Sequence, residues 1–140
     1  MVFTPDTVVV AAVPEEDDVI RIRQDGTRHQ GCDESCGWIW YSARALKEYI
    51  LLSEEATTAN GLLGLNILEL GAGTGWLALQ LAYRGAHVTA TDRPGALPLL
   101  IQNVLSNQER IAASAAPLNK EMTIEVLPLE WKNEDEDRQQ

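Results

Sequence analysis

The chain has 140 residues, 45% of them hydrophobic and 23% charged, with a formal net charge of −10 from 11 basic and 21 acidic side chains. This is the size and composition of one small globular domain. It excludes a membrane span, which needs ~18 consecutive apolar residues, and the N-terminus lacks the basic-then-apolar order of a secretory leader. A cytoplasmic protein is expected, with the nucleus also open to it.

The charge is unevenly placed. Glu15-Glu16-Asp17-Asp18 and Glu134-Asp135-Glu136-Asp137 hold eight of the acids, and without them 13 acids stand against 11 bases. The excess is therefore two short solvated runs. Nucleic-acid binding is not expected, because neutralising phosphates requires clustered Lys and Arg.

In chain order, Thr7–Val13 is β-branched and apolar, and Val19–Arg23 alternates apolar and basic residues before the turn signal Asp25-Gly26. Two strands forming a hairpin across the acidic loop are predicted. Residues 26–37 are polar and glycine-containing and read as a loop. Within it, His29, Cys32 and Cys36 fall short of the four ligands of structural zinc, and His87 belongs to a later strand, so no metal is expected. Both thiols are expected to be reduced.

From Trp38 to Leu52 the residues Ile39, Ala43, Leu46, Tyr49 and Ile50 recur at helical spacing, with Lys47 and Glu48 on the opposite side. The run Ile67–Leu70 is short, apolar and stopped by glycines, as in a buried parallel strand. A helix follows from Trp76 to Tyr83, closed by Gly85, and then a strand over His87–Thr91 with Asp92 at its carboxyl end. Pro94–Asn107 reads as a helix presenting Leu97, Leu100, Ile101, Val104 and Leu105 inward. A polar, alanine-rich link (108–121) leads to a strand over Thr123–Leu127, with Trp131 just beyond. Strands separated by helices imply a parallel α/β sheet, which binds ligands at the carboxyl ends of its strands.

Those ends carry the central motif, Leu68-Glu69-Leu70-Gly71-Ala72-Gly73-Thr74-Gly75. A strand running into a glycine turn and then a helix lets a ligand approach the backbone. The dinucleotide pattern G-x-G-x-x-G would need glycine at position 76, where Trp76 stands, so a nicotinamide cofactor is disfavoured. The Gly-Lys-Ser/Thr end of a phosphate-binding P-loop is absent too. Asp92 follows at the end of the next strand, where a carboxylate accepts both hydrogen bonds of a ribose diol. Glu69 is costly to bury unpaired and is expected to hydrogen-bond the glycine loop or a ligand.

Ile67–Asn107 resembles the motif I and post-I region of S-adenosylmethionine-dependent methyltransferases. More narrowly, the chain resembles the seven-β-strand, METTL21-like protein-lysine methyltransferases. That match rests on Gly37-Trp38-Ile39-Trp40-Tyr41-Ser42-Ala43 ahead of motif I, on the Asn103/Asn107 pair of an N-x-x-x-N helix, and on Leu127-Pro128-Leu129-Glu130-Trp131. The resemblance implies a Rossmann-like methyltransferase fold, apparently truncated to three parallel strands with crossover helices, plus the N-terminal β-hairpin. It divides the chain into the hairpin and loop (1–36), the partial cofactor-binding domain (37–131) and an acidic tail (132–140).

The cofactor so implied is S-adenosyl-L-methionine. Gly71, Ala72 and Gly73 would lie along its methionine part and Asp92 at its ribose. Trp131 would flank its adenine, Trp40 would line the pocket, and Glu69 would support loop or cofactor. The implied partner is a protein substrate offering a lysine side chain, with no nucleic acid and no membrane. The family's later strands, including one ending in D-x-x-Y near the substrate amine, have no counterpart here, so no catalytic residue is carried over. The motif I strand is then an open edge available to a partner or a second copy. A non-catalytic S-adenosylmethionine-binding fragment or pseudoenzyme, and a small-molecule methyltransferase, remain as alternatives.

Overall fold

Three short apolar runs alternate in side-chain direction and stack in register. In the computed structural model, which describes residues 20–26, 34–53, 61–115 and 123–131, they form one parallel sheet. Strands β1 (Asn66–Leu70), β2 (His87–Asp92) and β3 (Ile124–Pro128) lie in the order β1-β2-β3. Helices α1 (Tyr41–Leu51), α2 (Trp76–Tyr83) and α3 (Leu97–Ala115) complete the set, with a 3-10 turn at Glu34–Gly37 before α1. This is the expected α/β, Rossmann-like arrangement of three parallel strands.

The register aligns Ile67 with Val88 and Ile124, and Glu69 with Ala90 and Val126. Because strand side chains alternate, these rows share one face, and the apolar members join the core built by α2 and α3. Helix α2 is buried from Trp76 to Ala82, and each fully buried leucine in it stabilises the fold by ~1.5–3 kcal/mol. The opposite face presents Leu68, Leu70 and Leu127, at 62%, 53% and 41% exposure. Among the described residues β1 pairs with β2 alone, so its outer edge is open.

Four expectations change. Residues 20–26 are not a sheet strand. Ile20 and Ile22 are buried while Arg21 and Arg23 are exposed, as in a strand, but the backbone of this strap pairs with side chains of α3 instead. The other predicted strand of the hairpin, Thr7–Val13, lies outside the described residues.

The inward face of α1 is also different. Lys47 is buried, its ammonium 5.7 Å from the centroid of Trp76, while Leu46 and Tyr49 are exposed. The face bearing Ala43, Lys47 and Ile50 packs toward the core because the lysine stem covers apolar surface and its charge meets an aromatic ring.

Helix α3 starts later than expected and runs on through the stretch read as a link, since Gln108–Ala115 contains good helix formers and no breaker. It buries Asn103 and Asn107 while exposing Ile101 and Leu105. Finally, Cys36 is disulfide-bonded rather than a free thiol. It sits in the 3-10 turn, where the chain is tightly wound.

The strap and the turn meet at Gly37. The Asp25 N–H donates to Gly37 O at 3.1 Å, and Gln24 Oε1 accepts the Ile39 N–H at 2.8 Å. A Cβ on Gly37 would overlap the backbone carbonyl of Asp25, which cannot swing aside as a side chain would. Gly37→Ala is therefore expected to destabilise the chain by about 2–4 kcal/mol, read by urea denaturation, with loss of Asp25 amide protection.

Candidate active site

The carboxyl ends of the three strands open into one cavity of about 1020 Å³. Its lining includes every residue singled out from the sequence: Trp40, Glu69, Gly71, Ala72, Gly73, Asp92 and Trp131. The strand-end residues converge because parallel strands deliver all their carboxyl ends to one side, and Trp40 joins them from the N-cap of α1.

The glycine turn is built by local hydrogen bonds. The Ala72 N–H donates to Thr91 O at 2.9 Å and ties the turn to β2, while the Gly75 N–H donates to Ala72 O at 2.8 Å and closes it. Gly71, Gly73 and Gly75 all have positive φ, at 69°, 55° and 77°, a region costly for residues with a Cβ. At Gly73 a Cβ would also lie 3.0 Å from the carbonyl oxygen of Cys36, so a side chain there would press the turn against the preceding wall.

Asp92 is 9% exposed. Its Oδ2 accepts the Gly73 N–H and its Oδ1 the Arg93 N–H, both at 2.7 Å. The carboxylate holds the glycine turn in place, and each oxygen retains the capacity to accept a further hydrogen bond. Its backbone carbonyl accepts the Leu129 N–H at 2.9 Å, which draws the segment after β3 toward the cavity. Trp131, 74% exposed, completes that side, and a Cβ on Gly71 would lie 3.9 Å from its ring.

Glu69 is half-buried in β1, two residues before the turn. Burial pushes its carboxyl up to about 7 from the ordinary 4.5, against the backbone N–H of Ala78 and with help from the charge of Asp92. Its Oε2 is buried and has no hydrogen-bond partner. Such an atom is a site for an arriving donor.

Trp40 is neither core nor part of a helix interior. It stands at the N-cap of α1, 57% exposed, with its Nε1–H donating to Ser35 O at 2.8 Å. Trp76 packs into the core: it is 5% exposed and carries the Arg44 guanidinium 5.3 Å from its ring centroid. Sequence reasoning missed Trp38, Arg93 and Leu129, which also line the cavity. It also missed Thr91, whose hydroxyl donates to Glu69 O at 2.7 Å. Position at a strand end was the available signal for Arg93 and Leu129. The lining contains three carboxylates (Glu69, Asp92 and Glu130), four tryptophans and a single basic residue, Arg93. That set suits a cationic, aromatic ligand better than a polyphosphate.

A family model described as lysine methyltransferase matches residues 15–140. The chain belongs to the lysine methyltransferase family. Within it, the chain is similar to Protein N-lysine methyltransferase METTL21A of Danio rerio, 39% identical over 68 residues, which are 49% of this chain and 28% of the relative. The Mus musculus METTL21A is 40% identical over 88 residues, 63% of this chain and 36% of the relative. EEF1A lysine methyltransferase 3 of Xenopus tropicalis is 46% identical over 44 residues, 31% of this chain and 20% of the relative. The chain matches at most about a third of the length of these lysine methyltransferases.

Proposed function

We propose that this chain is the cofactor-binding portion of an S-adenosyl-L-methionine-dependent protein-lysine N-methyltransferase. The observation that supports it best is the buried, unpartnered Oε2 of Glu69, which shares a cavity with the Asp92 carboxylate, the glycine turn and Trp131. When bound, the cofactor would supply an electrophilic sulfonium methyl group. Glu69 would take the α-ammonium of its amino-acid end, and the backbone of Gly71–Gly73 would follow the methionine part. Asp92 would accept from the ribose hydroxyls. Trp131 would cover the adenine, and Trp40 would wall the pocket against water.

These residues bind and orient, and alignment with desolvation supplies much of the rate in such a displacement. A lysine acceptor must arrive neutral, and no group of this chain is assigned the proton.

The test is calorimetric titration of the 140-residue chain with S-adenosylhomocysteine, followed by a methyl-transfer assay on protein lysine. One saturable site that NADH does not compete for is expected, and no binding would overturn the reading. Binding without transfer would favour a second reading, a non-catalytic cofactor-binding module. The β1 edge, unpaired among the described residues, and the exposed Leu68, Leu70 and Leu127 speak for that alternative, since a partner strand or a second copy would pair there. Transfer to small amines alone would replace the protein substrate.

A further inference from the structure

Asn103 and Asn107 lie one helical turn apart on α3, 1% and 0% exposed. Two primary amides that deep in a core require full hydrogen bonding, and the strap provides it. Asn103 Oδ1 accepts the Arg23 N–H at 2.8 Å and its Nδ2 donates to Arg23 O at 3.0 Å. Asn107 does the same for Arg21, at 2.9 and 2.7 Å. Helical i, i+4 spacing on α3 is thereby matched to i, i+2 spacing on an extended backbone, as a neighbouring strand would match it.

The two amides differ in their remaining bond. Asn107 Nδ2 donates within its own helix, to Asn103 O at 2.7 Å. Asn103 Nδ2 donates at 2.8 Å to Thr74 O, inside the glycine turn. The strap in turn holds the cavity's facing wall, through Asp25 on Gly37 and Gln24 on Ile39, and that wall abuts the turn where Cys36 O meets Gly73. A single buried amide therefore ties together the floor and the wall of the cavity.

We propose that Asn103 is a positioning residue that sets the spacing between the glycine turn and the facing wall, and so the affinity of the site for its adenosyl ligand. The affinity part rests on the cofactor reading above; the coupling of turn and wall does not.

The test compares Asn103→Leu with Asn107→Leu, and with Arg23→Pro, which removes the strap N–H while changing no residue of α3, against Arg23→Ala as the control for the side-chain bonds to Gln102 and Asp25 that both Arg23 variants lose. Backbone amide exchange of the ligand-free chain is followed by NMR at Gly73 and Gly75 for the turn, and at Asp25 and Ile39 for the wall. Asn103→Leu is expected to lose protection at both pairs. Asn107→Leu and Arg23→Pro are expected to lose it at the wall pair, with the turn pair kept. S-adenosylhomocysteine affinity should fall at least about tenfold for Asn103→Leu and less than about threefold for Asn107→Leu.

Exchange or affinity losses that are equal in the two asparagine variants and scale with their loss of thermal stability would reduce Asn103 to a packing residue and overturn the proposal. If Asn103→Leu does not fold, Arg23→Pro decides: unchanged wall protection refutes the coupling. Should the wild-type chain fail to bind S-adenosylhomocysteine, the cofactor reading falls while the exchange comparison still decides the coupling.

Discussion

Asp92→Ala is expected to weaken S-adenosylhomocysteine binding by about a hundredfold or more, equivalent to ~3 kcal/mol. Two losses combine. The proposed acceptor of the ribose hydroxyls disappears. So does the carboxylate that receives the Gly73 and Arg93 N–H groups at 2.7 Å, and each buried donor left without a partner costs ~1–3 kcal/mol. Asp92→Asn should fall between, because one oxygen survives while the new amide sets a donor against a backbone donor. Calorimetry gives the affinities, and denaturation separates the stability loss from the binding loss. Affinity within twofold of wild type, with the turn still protected, would remove Asp92 from the ligand site.

The second large effect is a pH dependence centred on Glu69. Its carboxyl is raised by burial to about 7 from 4.5, so the folded chain holds this proton more tightly than the unfolded chain. The stabilisation is complete below pH 4.5 and is lost as pH rises through 7, a fall of roughly 3 kcal/mol across the window. Glu69→Gln should flatten this slope and be the more stable form at pH 8, as measured by denaturation at several pH values.

Binding has the opposite sign. A ligand ammonium facing Oε2 favours the ionised carboxylate, so below pH 7 binding must release the proton. Wild-type affinity for S-adenosylhomocysteine should therefore rise between pH 5.5 and about 7. The heat measured at pH 6 should depend on the buffer's ionisation enthalpy, and Glu69→Gln should show neither effect. Wild-type binding with no pH dependence in this range would show that Glu69 does not meet the ammonium.

The motif Glu69–Gly75 and Asp92 could be read directly because their meaning is local. Alternation and flanking glycines mark β1, and the spacing of glycines defines the turn. The fold's parallel order then brings strand ends together without further information, so six of the seven expected residues reached one cavity, and Trp40 reached it from the N-cap of α1. Trp40 and Trp131 were legible as wall residues only through resemblance, since neither periodicity nor burial distinguishes a wall from a core.

The helix faces show where such reading stops. On α1 the apolar Leu46 and Tyr49 are exposed while Lys47 is buried; on α3 Ile101 and Leu105 are exposed while Asn103 and Asn107 are buried. The amino-acid sequence by itself determined the three sheet strands, their parallel order and the glycine turn, because these depend on backbone conformation and nearest neighbours. Tertiary structure alone decided which face of each helix is inside, and that residues 20–26 form a strap rather than a sheet strand. The reason is physical: burial depends on whether a side chain's polar atoms find partners. A strap backbone 80 residues from Asn103, or a tryptophan ring over Lys47, makes a polar residue as buriable as a leucine.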